Sequence, residues 1–102
     1  MNIQLNVQDR FLLPELLPQQ GGKIEMLSAQ SIVRKIEFTA DEIADFHLKD
    51  NSGSVTWTNG KDVEFDFTPE QIEILKAASK RADKERKITQ QNLSLIEKID
   101  SM

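Results

Sequence analysis

The sequence predicts one α+β domain: three N-terminal helices, a small antiparallel β-hairpin sheet of two or three strands, then two C-terminal helices. Three observations carry this. A Thr-x-x-polar pattern flanked by apolar residues recurs as FTADEI at 38–43, FTPEQI at 67–72 and ITQQNL at 88–93. Between residues 47 and 67 the apolar period changes from helical to two. The chain has 102 residues, 38% hydrophobic and 29% charged, which fits a single globular unit over residues 1–102.

The recurring pattern is a helix start. Thr39, Thr68 and Thr89 are N-caps, and Glu42, Gln71 and Asn92 stand at the third helical position, where a side chain reaches back to the cap. The apolar residues around each cap, such as Phe67 and Ile72, form a hydrophobic staple, and Pro69 suits a first helical position. The copies lie 29 and 21 residues apart with unlike intervening sequence, so they are not a structural repeat.

The elements follow in order. A first helix begins after Asn6 with Asp9 at its third position and carries Val7, Phe11, Leu12 and Leu16; Pro14 should end or kink it. Pro18 and the Gly21–Gly22 pair make a turn. A second helix over 23–37 carries Ile24, Leu27, Ile32, Val33 and Ile36 as its apolar stripe, with Ser28 a competing cap. A short third helix follows Thr39 and ends near Asp45. SVTWT and KDVEFDF then flank Asn59–Gly60 as a hairpin. A three-residue loop over 58–60 pairs Val55 with Val63, gathers Trp57 and Phe65 on the same face and puts Gly60 in the left-handed region. Phe46 and Leu48 suggest a third strand, turned at Asn51-Ser52-Gly53. A fourth helix runs from Pro69 to about Lys87 with Ile72, Leu75, Ala78 and Ala82 inward, and a fifth over 90–100 with Leu93, Ile96 and Ile99 inward.

Composition narrows the function classes. With no cysteine there is no disulfide and no thiolate chemistry. The first ten residues lack the pattern of a signal peptide, and no apolar run approaches the roughly 18 residues of a membrane span, so a cytoplasmic location without membrane contact is expected. His47 is the single histidine and, beside Phe46 and Leu48, reads as an edge-strand or partly buried structural residue. Asp41, Glu42 and Asp45 share a helical face, but acids are favoured at a helix N-terminus by the dipole alone. No phosphate loop, nucleotide fingerprint or nucleophile motif is present, so no catalytic residue, metal or cofactor is expected, nor an enzyme. Trp57 reads as core.

Charge gives the most informative surface. KAASKRADKERK at 76–87 holds Lys76, Lys80, Arg81, Lys84, Arg86 and Lys87 against Asp83 and Glu85, a local +4 in a chain of net charge −4. Lys76, Lys80 and Lys84 lie four apart on one stripe, a spacing that repels. Asp62, Glu64 and Asp66 alternate along the last strand as its solvated face. The candidate interaction surface is therefore Lys76, Lys80, Arg81, Lys84 and Lys87 on the helix with Asp62, Glu64 and Asp66 on the hairpin, opposite in sign, so a second copy of the chain is a candidate partner. The helix order also invites a winged-helix reading, but ADEIAD as the reading helix and an acidic wing repel phosphate, which disfavours nucleic acid unless the basic fourth helix makes the contact.

LNVQDR with the leucine-rich run ending LLP, SIVRKIEFTADEI, the tryptophan strand and the lysine-rich helix closing in ITQQNLSLIEKI together resemble small uncharacterised proteins of about this length encoded in phage and prophage genomes. The matching positions are caps, core residues and turns, and Pro14 departs from the pattern. The resemblance implies an accessory phage or mobile-element protein that works by binding something, and with the charged surfaces the first expectation is a non-enzymatic protein-interaction module, an accessory or assembly protein. The alternative is a weak nucleic-acid binder using residues 76–87.

Overall fold

The computed structural model describes residues 2–51 and 53–102. Ile3 and Leu5 alternate with Asn2 and Gln4, and this short period-two run forms a strand, β1 (Asn2–Leu5), ahead of the first expected helix. The order is then α1 (Val7–Leu16), α2 (Lys23–Ile36), α3 (Ala40–Asp45), β2 (Lys49–Asn51), β3 (Ser54–Thr56), β4 (Val63–Asp66), α4 (Pro69–Lys84) and α5 (Leu93–Asp100). The α+β class holds, with five helices and two small antiparallel sheets among the described residues, β1 with β4 and β2 with β3.

The expected hairpin across Asn59–Gly60 does not form. β4 pairs with β1, placing Ile3 opposite Phe65 and Leu5 opposite Val63. This register gathers four apolar side chains on the core side, and Leu5 and Ile3 bury more completely than Val55 and Trp57 do where they stand. β3 instead pairs with β2, with Asn51 opposite Ser54 and Asp50 opposite Val55, across a two-residue connection. The extra strand therefore exists, but at Lys49–Asn51 rather than at Phe46 and Leu48. Its turn falls near the expected place, with Ser52 outside the described residues and Gly53 at φ 99°. Gly60 is not left-handed, contrary to expectation, and is needed for space: a Cβ there would lie 2.9 Å from both the Trp57 Cδ1 and the Val7 Cγ2.

The expected capping bonds form at Asn6, Thr39, Thr68 and Thr89, whereas the competing cap Ser28 falls inside α2, which starts after Gly22 with no side-chain cap bond. Asn6, Thr39 and Thr68 accept from the backbone N–H of Asp9, Glu42 and Gln71, whose side chains in turn accept from the cap N–H. At the fifth helix Thr89 and Asn92 exchange the same pair of bonds, at 2.7 and 3.2 Å, although regular helix begins only at Leu93. Pro14 does not end α1, which continues to Leu16. The single backbone bond that proline removes is offset by burying Leu13 and Leu17 on either side of it. α4 stops at Lys84, short of Lys87. Arg86 turns left-handed at φ 58°, so that its N–H reaches the Asp83 carbonyl and the Lys87 N–H reaches that of Ala82, a Schellman ending. α3 ends in the same way, with His47 at φ 54°. His47 is thus an exposed helix terminator, neither an edge-strand residue nor a partly buried one.

The core joins Ile3 and Leu5 to Leu13, Leu17, Ala29, Ile32, Ile36, Phe67, Leu75, Leu95 and Ile99. Ala78 and Ala82 are buried as expected and Ile72 packs against the core. α5 buries Ile96 and Ile99 as expected, but not Leu93. Asn92, Leu95, Ile96 and Ile99 face inward while Leu93 is 39% exposed, because the seam follows positions 92, 95, 96 and 99. The inner stripe of α2 is shorter than its apolar pattern: Ile32 and Ile36 are buried, but Ile24 is 81% and Leu27 54% exposed. Trp57 is not core either. It is 38% exposed and lies 6.0 Å, centroid to centroid, from Phe11, whose ring in turn packs, tilted by 36°, 4.9 Å from that of Phe38.

Candidate interaction surfaces

The strongest electrostatics belong to a lock between helices. Arg10, on the inner side of α1, has a side chain only 1% exposed. Its Nε donates to the Ile36 carbonyl at 3.0 Å and its Nη2 to the Glu37 carbonyl at 2.9 Å, capping the end of α2. Its two Nη atoms also hold Glu42 in a bidentate pair at 2.6 and 2.9 Å, and its guanidinium lies 3.9 Å over the Phe38 ring. Hydrogen bonding from Arg10 dominates the titration of Glu42, with the Thr39 cap helping against the opposing cost of burial, and lowers its pKa to about 2. Glu42, read from the sequence as one of three acids on a helix face, is therefore spent on structure, while Asp41 and Asp45 remain exposed.

The same double use recurs at the other caps. Asp9, which caps the Asn6 N–H, also accepts from Lys98 at 2.5 Å and so ties α1 to α5. Gln71 accepts from the Thr68 N–H and from Lys35, and donates to Ser31, tying α4 to α2. These partners were not foreseen, because the capping pattern names only the local half of each contact.

The basic residues of α4 divide into three groups. Lys76 is half-buried and donates to the Met102 carbonyl. Arg81 donates to the Leu16 carbonyl at 3.2 Å, and Lys87, beyond the helix, pairs with Glu85 at 2.9 Å, lowering the Glu85 pKa chiefly through that hydrogen bond. Arg81, Glu85 and Lys87 line a groove of about 580 Å³ beside Pro18 and Gln19. Lys80 and Lys84 point to solvent, and no ion pair links them to an acid among the described residues. Glu70 and Glu73 occupy the opening turns of the same helix, so its charges follow the dipole.

The acids lie on β4 and the loop before it, in the β1–β4 ribbon rather than in a β3–β4 hairpin. Asp62 is exposed ahead of the strand, Glu64 accepts from the Asn2 side chain at 2.7 Å, and the Asp66 carbonyl accepts from Lys35 at 2.5 Å. Glu64 and Asp66 are exposed while Val63 and Phe65 turn toward the core, as the alternation predicted. With β3 and β4 in different sheets, the wing of a winged helix is not built.

Among the described residues no three His, Cys, Asp or Glu side chains gather as a metal site, and no helix is long and apolar enough to cross a membrane. No protein-family model, curated protein or solved structure matches the chain.

Proposed function

We propose that the chain is a non-enzymatic protein-interaction module, an accessory or assembly factor of the kind its resemblance to small phage-encoded proteins implies. The observation that supports this most is the pair Lys80 and Lys84, outward on α4 and without an acid partner among the described residues. The helix dipole offsets part of their repulsion; an acidic protein surface would offset the rest. Ile24 and Leu27, open to solvent on α2, add apolar area of the sort protein partners cover. The acids on β4 favour a protein over a nucleic-acid backbone, and make a second copy the first partner to test.

The test is absolute mass by light scattering at low and high salt, on the native chain and on Lys80→Glu/Lys84→Glu. Lys76 is left intact because it holds Met102. A dimer that dissociates in salt and is lost in the variant is the expected result. A monomer at both salts that is retained on heparin, with affinity falling steeply as salt rises, would replace this reading with nucleic-acid binding.

A further inference from the structure

β1 is paired on one side only. β4 occupies one edge, and in an antiparallel ladder every second residue of β1 directs its N–H and C=O away from that partner. Apart from the β4 ladder, no hydrogen bond among the described residues takes up the backbone of Asn2–Leu5. An edge of this kind is usually blunted by charge or proline. β4 carries Glu64 and Asp66, with Lys35 on the Asp66 carbonyl, whereas β1 reads NIQL, with neither charge nor proline.

The free edge lies in a groove. Asn2, Ile3 and Gln4 form one wall, and Ser94, Glu97, Lys98 and Ser101, which follow one face of α5 at helical spacing, form the other with Met102, bounding an open groove of about 440 Å³. The three strand residues span about 10 Å, and the helix wall from Ser94 to Ser101 about 12 Å. Lys98 is committed to Asp9, so the charge of the groove is set by Glu97, which forms no ion pair among the described residues.

We propose that this groove docks an extended peptide segment of a partner protein, which joins the β1–β4 ladder as a third strand and presents a lysine or arginine to Glu97. Unpaired backbone groups along a strand select an extended backbone, and the helix wall selects side chains. A single segment fits better than a second copy of β1, because in every copy α5 flanks β1 and would have to enter the same cleft. The proposal rests on the reading of the chain as a protein-interaction module and names one mode of contact for it.

The test selects binders to the intact chain from a displayed library of random short peptides. A selected peptide is then followed by NMR hydrogen exchange. It is expected to slow exchange at alternate amides of β1, and to lose binding when its own alternate amides are N-methylated. Ser94→Arg/Glu97→Lys, both exposed positions, should weaken it by about tenfold or more while leaving the circular dichroism unchanged. Lys80→Glu/Lys84→Glu should leave peptide affinity intact, which separates failure of this groove from failure of the α4 surface. An empty selection, binders that leave the β1 amides unprotected, equal binding after N-methylation, or a dimer paired through β1 would each overturn it.

Discussion

Arg10 holds three segments with one side chain: the end of α2 through two carbonyls, the start of α3 through Glu42, and the Phe38 ring between them. A buried guanidinium is tolerable only while it is paired, and removing the partner of such a group costs about 3–5 kcal/mol. Glu42→Gln isolates the charge, since glutamine keeps the capping bond to the Thr39 N–H. Arg10 retains two carbonyls, so the expected loss is smaller, about 2–3 kcal/mol in urea unfolding at neutral pH. The pH dependence has a definite sign. The folded pKa of Glu42 is depressed from 4.5 to about 2, so its stabilisation is fully present above 4.5 and disappears as pH falls through 2. The native chain should therefore lose stability across that window by more than the variant does. An equal acid slope in both would show that the pair contributes nothing. Asp9 was legible as a cap, but nothing around Arg10 in the sequence announces that the next residue is buried.

At the scale of elements, helix starts were readable and helix ends were not. A start is written in one cap residue and one residue three positions on, as at Thr39 and Glu42. The ends of α3 and α4 are written in the left-handed backbone of His47 and Arg86, of which histidine carries only a weak preference for that region and arginine none. A left-handed residue with a side chain is strained relative to glycine. Arg86→Gly is accordingly expected to raise stability by about 0.5–1 kcal/mol, visible as a higher midpoint in thermal melting. A fall would mean that the Arg86 side chain contributes more than its backbone costs. The strands were half legible. The alternation puts Val63 and Phe65 on the inner face, where they lie, but the turn signal at Asn59–Gly60 points to a local partner and not to the distant pair Ile3 and Leu5. Local turn chemistry gave way to burial of Leu5, which is fully enclosed. The candidate surface fared similarly. The stripe of Lys80 and Lys84 was visible as spacing, whereas the engagement of Lys76 by Met102 depends on where α5 ends in space.

Across the whole molecule, the two ends of the chain are fastened to each other and to the middle. β1 pairs with β4 more than 50 residues away, and Asp9 meets Lys98 across 89 positions. Asp9 is buried, so Lys98→Met leaves a carboxylate with only its local bonds and should cost about 2–4 kcal/mol, measured by chemical unfolding. A loss under 1 kcal/mol would place Asp9 in contact with water in solution. The capping side chains carry a wider consequence. Asp9, Glu42 and Gln71 each fix the first turn of one helix and are gripped by a base from another, Lys98, Arg10 and Lys35 in turn. A helix whose first turn is secured by a group that a distant helix also holds cannot fray, slip in register or form early without disturbing that neighbour. The signals that nucleate the helices and the contacts that assemble them are the same atoms, so a half-built chain forfeits both at once. Such sharing favours a single cooperative transition over a ladder of intermediates, in a protein whose small two-stranded sheets would not enforce one by themselves.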